Sequence, residues 1–338
     1  MPKKIKPIAL VYRSNTKNIS TLARILKEGG LVAVPTETVY GLAANALNAK
    51  ACRAIFKAKG RPENDPLIVH IHSLKDLHQI AEKNSAVDLL AHAFWPGPLT
   101  LVLPKKNCIP SIVTSNLPSV AVRIPSHPVF RKLLKKTGLP LAAPSANPFG
   151  YVSPTTSAHV VESLGSKINH ILEGGACEVG VESTILDLRN PKLPVLLRPG
   201  GISKNKIEKV LKLKVLSGNK IRHPNLKSGQ ISPGLLKKHY SPHTPLTLSD
   251  HLKVRSAINS SKNEAWLFIK KPNGVIAKNI FFLSRSGNLT EAAHNLFSVL
   301  RDLDSGNWKQ IHAEKAIGSD IAVAINDRLI RAASKRNH

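Results

Sequence analysis

The stretch Pro35-Thr36-Glu37-Thr38-Val39-Tyr40-Gly41-Leu42 follows the apolar run Leu31-Val32-Ala33-Val34 and ends it with a proline beside small polar side chains. The run predicts a strand, and the way it stops predicts the edge of a site. Proline donates nothing to a strand ladder and fixes its own φ, while Gly41 lets the backbone turn closely around whatever the threonines face. Standing alone, the same composition would serve an ordinary strand-to-helix connection. It does not stand alone: further polar turns punctuated by Gly or Pro follow apolar runs throughout the first 200 residues, and together they read as the rim of one pocket.

Upstream of this stretch, Ser20 or Thr21 can cap a helix with Leu22, Ile25 and Leu26 on one face and Gly29-Gly30 at its end. Downstream, a second helix over 50–59, closed by Gly60, leads through Lys57-Ala58-Lys59-Gly60-Arg61-Pro62-Glu63-Asn64-Asp65-Pro66 into the strand Leu67-Ile68-Val69-His70-Ile71. Lys57, Lys59 and Arg61 can be a solvated helix end that complements the C-terminal dipole. Equally, Lys59 can offer a point charge and Arg61 a bidentate fork to a phosphate or carboxylate. His70 reads first as a half-buried strand histidine. His72 points the same way, but with no third ligand no metal site is expected.

A helix over 86–94 ends in Phe94-Trp95-Pro96-Gly97-Pro98, with Trp95 read as core, and the strand Leu99–Leu103 follows. The strand Ser119-Val120-Ala121-Val122-Arg123-Ile124-Pro125 carries one arginine among apolar neighbours. Such a charge needs a resident salt bridge or an anionic ligand, and both stay open. The strand Leu139–Ala143 breaks into Pro144-Ser145-Ala146-Asn147-Pro148-Phe149-Gly150, after which Ser153 or Thr155 can cap a helix. Val179 to Asp187 reads as a strand with a polar start, Val195 to Gly201 as an apolar strand ending in a cation and a glycine turn, and 203–211 as a helix. The alternation argues a mixed α/β domain with its loops gathered at strand ends.

Across 338 residues, 42% apolar and 21% charged is ordinary globular composition, with length enough for two cores. No apolar run approaches a membrane span and the N-terminus lacks an apolar signal core, which places the protein in the cytoplasm with no membrane association. Cys52, Cys108 and Cys177 are isolated and odd in number, so they form no disulfide framework, and each reads as a buried small residue. The net charge of +28 invites a nucleic-acid reading, but the excess is spread as +17 over 1–216, +5 over 217–245 and +6 over 246–338. That is a diffusely basic surface rather than a dedicated stripe, and weak binding of tRNA or other RNA is the most it implies.

From 217 to 245 periodicity vanishes, and the segment ends in Ser232-Pro233-Gly234-Leu235-Leu236-Lys237-Lys238-His239-Tyr240-Ser241-Pro242. It reads as a linker, or as a lid that brings His239 and Tyr240 across the pocket. Beyond it, strands at Trp266–Ile269 and Ile280–Leu283, a helix near 289–304, and Ile321–Ile325 followed by Asn326-Asp327-Arg328 suggest a small Rossmann-like domain over 246–338. It has no G-x-G-x-x-G, so no nucleotide is assigned to it.

In this order and spacing, the stretches Pro35–Leu42, Lys57–His70, Ser119–Pro125, Ala143–Asn147, Glu182–Ile185 and Arg198–Gly201 resemble the YrdC-like domain. With the Ser-Pro-Gly to His-Tyr linker and the second α/β domain, the chain resembles the long, two-domain form of the threonylcarbamoyl-AMP synthase family over nearly its whole length. The resemblance implies a mixed twisted-sheet catalytic domain over 1–216, a linker over 217–245 and the smaller domain beyond. It implies a nucleotidyltransferase that makes threonylcarbamoyl-AMP and pyrophosphate from L-threonine, bicarbonate and ATP, with Mg²⁺ accompanying ATP and no tightly bound cofactor. The product would pass to a tRNA threonylcarbamoyl transferase that modifies the adenosine next to the anticodon.

Residue by residue, the resemblance implies that Thr38, His70, Arg123 and Ser183 hold threonine, and that Lys59 and Arg61 are catalytic, meeting bicarbonate and phosphates. Arg61, Asp65, Ser119, Ser145, Asn147, Ser153, Arg198 and Tyr240 would surround ATP. Asp65 departs from the Asn or His usual before this proline, and a carboxylate facing ATP repels phosphate unless Mg²⁺ intervenes. The contrasting reading is a double-stranded RNA or tRNA-binding protein without adenylating activity. Aromatics at 4% give it few side chains on which bases could stack.

Overall fold

The computed structural model describes residues 9–218, 240–259, 263–274 and 277–333. Ser232-Pro233-Gly234, His239 and the course of the linker before Tyr240 lie outside the described residues. In chain order the first part runs β1 Leu10–Tyr12, α1 Thr16–Lys27, β2 Val32–Val34, β3 Gly41–Asn45, α2 Ala49–Lys59, β4 Ile68–His70, α3 Leu77–Ile80 and α4 Ser85–Phe94. It continues with β5 Leu99–Pro104, β6 Ser119–Arg123, α5 Pro128–Thr137, β7 Leu141–Ala142, α6 Ser157–Leu164, β8 His170–Leu172, β9 Thr184–Asp187, β10 Val195–Arg198, α7 Lys204–Leu211 and β11 Leu216–Ser217.

These strands form one sheet of mixed pairing, ordered β1-β8-β2-β3-β7-β4-β6-β5-β9-β10-β11. Both faces are covered. Ile19, Leu22 and Leu26 of α1 pack with Phe130, Leu133 and Leu134 of α5 on one side. Ile55 and Phe56 of α2 join Val87 and Leu90 of α4 and Ile207 and Leu211 of α7 in the main core. A strand buried on both faces has no need of alternation, which is why Val32, Ala33 and Val34 are all apolar and all buried.

The sheet brings sequence-distant segments to one rim. β4 and β6 run parallel with His70 opposite Arg123, and β5 runs parallel to β9 with Leu99 opposite Thr184. Gly41 bridges to Ser145, and a Cβ on Gly41 would sit 3.2 Å from the Cβ of Ala143. A side chain on Gly41 would therefore press on the β7 end, and glycine leaves that approach relaxed.

The second domain comprises β12 Leu246–Ser249, α8 Val254–Asn259, β13 Glu264–Lys270, β14 Ile280–Ser284, α9 Leu289–Ser305, β15 Gln310–Glu314 and α10 Ile321–Ala332. Its four strands are all parallel, in the order β12-β15-β13-β14. Leu296, Leu300, Ile325 and Leu329 of α9 and α10 fill its core, and that core takes in Val39, Val152, Val181 and Tyr240. The two domains therefore share buried apolar surface. Arg301 donates to the Val152 carbonyl at 2.6 Å, Ser241 N–H to Gly150 at 2.8 Å, and Tyr151 hydroxyl to Asp304 at 2.9 Å.

Local boundaries differ from the expectations in instructive ways. The first helix starts at Thr16, capped by Asn15, whose side chain accepts from Asn18 N–H; Ser20 and Thr21 lie inside it. Thr156, rather than Ser153 or Thr155, caps α6, because Ser153 is drawn away to Glu182. Residues 179–183 are irregular and the strand begins at Thr184. Gly41–Asn45, where the sequence predicts only a close turn at Gly41, forms strand β3 between β2 and β7. Ile321–Ile325 opens a helix. Cys52 and Cys177 are buried, but Cys108 is exposed, its thiol donating to the Gln79 carbonyl. No helix among the described residues is long and apolar enough to cross a membrane.

Candidate active site

The turn after β2 is built by Thr36. Its hydroxyl donates to the Val39 carbonyl at 2.7 Å and its oxygen accepts from the N–H groups of Thr38 and Val39, each at 3.1 Å. Thr36 has one proton to give, and Val39 takes it, so the 2.8 Å contact with Thr38 is donated by Thr38. The Thr38 oxygen is thereby turned to accept from Arg123 Nη1 at 3.0 Å. Arg123 also donates from Nε to the Gly97 carbonyl at 3.2 Å, and its Nη2 lies 2.6 Å from Glu37.

A resident salt bridge thus meets Arg123, while its guanidinium still lines the cavity. Burial pushes the Glu37 carboxyl pKa up, but the charge and hydrogen bonding of Arg123, with backbone donors, hold it below the usual carboxylate range. Tyr40 anchors the same turn from beneath, its hydroxyl donating to the Gly175 carbonyl at 2.8 Å.

A second wall comes from the Lys57–Pro66 stretch. Gly60 takes the left-handed conformation that ends α2, with φ 63°, and Arg61 folds back so that Nε donates to the Asp65 carbonyl and Nη2 to that of Pro66, at 2.9 and 2.7 Å. Its Nη2 also pairs with the Asp65 carboxylate at 2.9 Å, both side chains being almost fully buried. Lys59 is buried and donates to the carbonyls of Ser145 and Asn147. Burial first, and then the Arg61 cation, push its ammonium pKa well below the ordinary lysine range.

The third wall is β9, β10 and what precedes them. Arg198 donates from Nε to the Ser183 carbonyl at 3.1 Å and from Nη2 to its hydroxyl at 3.2 Å, while Ser183 also bonds Thr100 at 2.8 Å. Ser153 donates to Glu182 at 2.5 Å. Tyr240 closes the side toward the second domain, held at φ 65° with its ring stacked on Phe297 at 5.5 Å. Burial first, and then the Glu182 charge, push the Tyr240 hydroxyl pKa up to about 12.

Thr38, Arg61, His70, Arg123, Ser145, Ser183, Arg198 and Tyr240 line one cavity. Three arginines drawn from separate parts of the chain thus converge. Lys59, Asp65, Ser119, Asn147 and Ser153 do not line it. Lys59 braces the Ser145–Asn147 turn from behind, and Asn147 donates from Nδ2 to the carbonyls of Pro148 and Tyr151 at 2.8 and 2.9 Å. Ser119 sits four residues up β6 from Arg123, about 13 Å away. Asp65 faces Arg61, so the repulsion expected between its carboxylate and ATP does not arise in this arrangement. Among the described residues no cluster of three or more His, Cys, Asp or Glu could hold a metal.

Glu37, Glu182 and Arg328 were not assigned from the sequence. The first two lie inside the quoted stretches, where a lone carboxylate beside small hydroxyl side chains is the available signal. Arg328 gave none, since it reaches the site only by domain packing.

Two outcomes follow from these contacts. Asp65→Ala leaves the buried Arg61 without its carboxylate partner and should lower unfolding free energy by about 3–5 kcal/mol in urea melts. A loss below about 1 kcal/mol would show that the carbonyls of Asp65 and Pro66 suffice.

The second outcome concerns His70, which packs against Phe130 with ring centroids 5.5 Å apart. Burial, and then Arg123, lower its pKa from 6.5 to about 3. The unfolded chain therefore binds a proton that the folded one refuses, and His70 makes stability fall as pH drops from about 6.5 toward 3. His70→Asn should flatten that part of the profile, and an unchanged slope between pH 7 and 5 would remove the assignment.

Residues 24–200 match the family model described as Telomere recombination, and residues 202–334 match Threonylcarbamoyl-AMP synthase, C-terminal domain. The chain is 40% identical over 336 residues to the threonylcarbamoyl-AMP synthase of Pyrococcus abyssi, covering 94% of each, and 38% identical over 334 residues to that of Bacillus subtilis, covering 96% of this chain and 95% of the relative. The crystal structure of P. abyssi Sua5 complexed with L-threonine superposes with a TM-score of 0.87 at 37% identity, over 96% of this chain and 97% of that one.

Proposed function

This chain belongs to the two-domain threonylcarbamoyl-AMP synthases, and on that basis we propose how its cavity performs the synthesis of threonylcarbamoyl-AMP from L-threonine, bicarbonate and ATP. The observation that carries the proposal is the convergence of Arg61, Arg123 and Arg198 on one cavity whose remaining polar wall is Thr38, His70, Ser145 and Ser183.

Threonine's amine attacks the carbon of bicarbonate and water leaves, giving a carbamate. A carbamate oxygen then attacks the α-phosphorus of ATP and pyrophosphate departs. Neither step asks a side chain to form a covalent bond. Both gain from alignment and from fixed cations over charge that develops in a site shielded from water.

Arg123 suits the threonine carboxylate because β6 and Thr38 already orient its guanidinium. His70, kept neutral by burial, contributes hydrogen bonding without a competing charge. Arg61 and Arg198 approach from the walls on either side and suit bicarbonate and the phosphates, with Lys59 fixing the Ser145–Asn147 turn between them. ATP would enter as its Mg²⁺ complex, for which the Ser145 hydroxyl on the cavity wall is a hard oxygen donor of the kind Mg²⁺ accepts. The labile product goes to a transferase acting on tRNA, in the cytoplasm where ATP and tRNA are met.

The test is pyrophosphate release by the purified full chain, with each substrate omitted in turn. Release that needs all three supports the reading, and equal release without threonine removes it. Thermal shift adds a second axis. ATP with threonine at 100 times its dissociation constant stabilises the fold by about 2.7 kcal/mol, whereas stabilisation by RNA alone would favour a binding module.

A further inference from the structure

Arg328 lies on α10 of the second domain, yet it is fully buried and packs behind residues that line the first domain's cavity. Its Nε donates to Glu182 at 2.9 Å and its Nη1 to the Pro199 carbonyl at 2.8 Å. The guanidinium carbon stands 5.3 Å from the centre of the Tyr240 ring. Asp327, its neighbour on the helix, accepts from the same Nη1 at 2.8 Å. Glu182 and Tyr240 both line the cavity, and Pro199 follows Arg198. One side chain therefore touches three parts of the wall at once.

A buried cation is retained where its partners hold it, and here Asp327 of its own helix is joined by Glu182 and the Pro199 carbonyl of the first domain. Tyr240 adopts a left-handed backbone conformation, which a tyrosine keeps only when its surroundings fix it. The surroundings are Phe297 on one side and the Arg328 guanidinium, offering a cation to the ring, on the other. Glu182, pinned by Arg328 and Ser153, in turn precedes Ser183, which receives both bonds from Arg198.

We propose that Arg328 is a positioning residue of the active site, through which the second domain fixes Tyr240 and Glu182 against the Arg198 side of the cavity. The proposal rests on the reading of that cavity as the ATP and threonine site. It makes the second domain a working part of the first domain's chemistry: Arg328 holds the Tyr240 wall closed around the nucleotide and keeps Arg198 aimed into the cavity.

The experiment compares full-length wild type, Arg328→Lys, Arg328→Met and His294→Ala, the last removing an interdomain hydrogen bond between the His294 ring and the Glu178 carbonyl, neither of which lines the cavity. ATP binding is measured by calorimetry, and KM for ATP and for threonine from pyrophosphate release. Arg328→Met is expected to weaken ATP at least tenfold with the threonine KM within about threefold of wild type. Arg328→Lys should recover part of the loss, since an ammonium can meet Glu182 but not also stack on Tyr240. His294→Ala should bind ATP as wild type does.

A Tyr240→Leu, Arg328→Met pair tests the route, because residues acting together lose no more in the double variant than in the worse single one. Arg328→Met that melts lower but keeps wild-type ATP affinity, fully additive losses, or an equal loss in His294→Ala each overturns the proposal while leaving the enzymatic reading in place. Wild type that neither binds ATP nor releases pyrophosphate overturns both.

Discussion

Arg123→Ala raises the threonine KM by roughly 30-fold to several thousand-fold and leaves the ATP KM within a few-fold of wild type. The range is what about 2–5 kcal/mol for one member of a buried, hydrogen-bonded charge pair implies. The asymmetry comes from position: Arg123 ends β6 beside His70 and Thr38, and its other bonds run to Gly97 and Glu37. Alanine also strands the buried Glu37 carboxylate, so this variant will fold less well. The fold-sparing test is the double change Glu37→Gln with Arg123→Met, which removes both charges together and leaves no buried ion alone. Measured on that protein, a threonine KM unchanged beside a normal ATP KM would end the assignment of Arg123 to the threonine carboxylate.

The same pair shows what the sequence could and could not reveal. That Arg123 needed a partner was legible, since a lone cation in an apolar strand is rarely left unpaired. Which partner was not, because Glu37 lies 86 positions away and meets it only when β2, β4 and β6 take their places in one sheet. The strands, the Gly60 and Gly200-Gly201 turns and the rim they form were legible because each depends on local chemistry: apolar runs, a proline stop, a glycine where the backbone comes close. Helix starts were less so. Asn15 caps α1 with the same side-chain chemistry that Ser20 and Thr21 advertise from inside the helix, and propensity alone does not choose among them.

Asp65 shows the limit from the other side. Its position in the pattern the chain resembles places it beside ATP, although Asp stands where Asn or His is usual, and in the fold its carboxylate turns inward to Arg61. Arg328 and Glu182 come together only through docking of the second domain, and no periodicity encodes a contact of that kind.

Gly200→Ala should lower kcat by about a hundredfold or more while Gly201→Ala, one residue on, costs far less. A Cβ on Gly200 would lie 2.3 Å from the backbone N of Thr184, 2.5 Å from the Glu182 carbonyl oxygen and 2.5 Å from the Ser183 carbonyl carbon. All three are main-chain atoms, so no side-chain rotation relieves the clash, and the 182–184 segment has to move. That segment carries Ser183, which takes both Arg198 bonds, and Glu182, which anchors Ser153 and Arg328. A displacement of about 1 Å at a site that works by alignment costs on the order of 100-fold in rate, and overpacking of this kind costs about 1–3 kcal/mol of stability. At Gly201 the nearest atoms are side-chain carbons of Val179 at 3.1 Å and Pro98 at 3.3 Å, which can yield by a few tenths of an ångström. Steady-state kinetics and melting of the two variants decide the matter. Equal melting losses with equal, small losses of kcat would show that the backbone at 182–184 is free to shift without consequence, and that catalysis does not depend on how this segment aims Arg198.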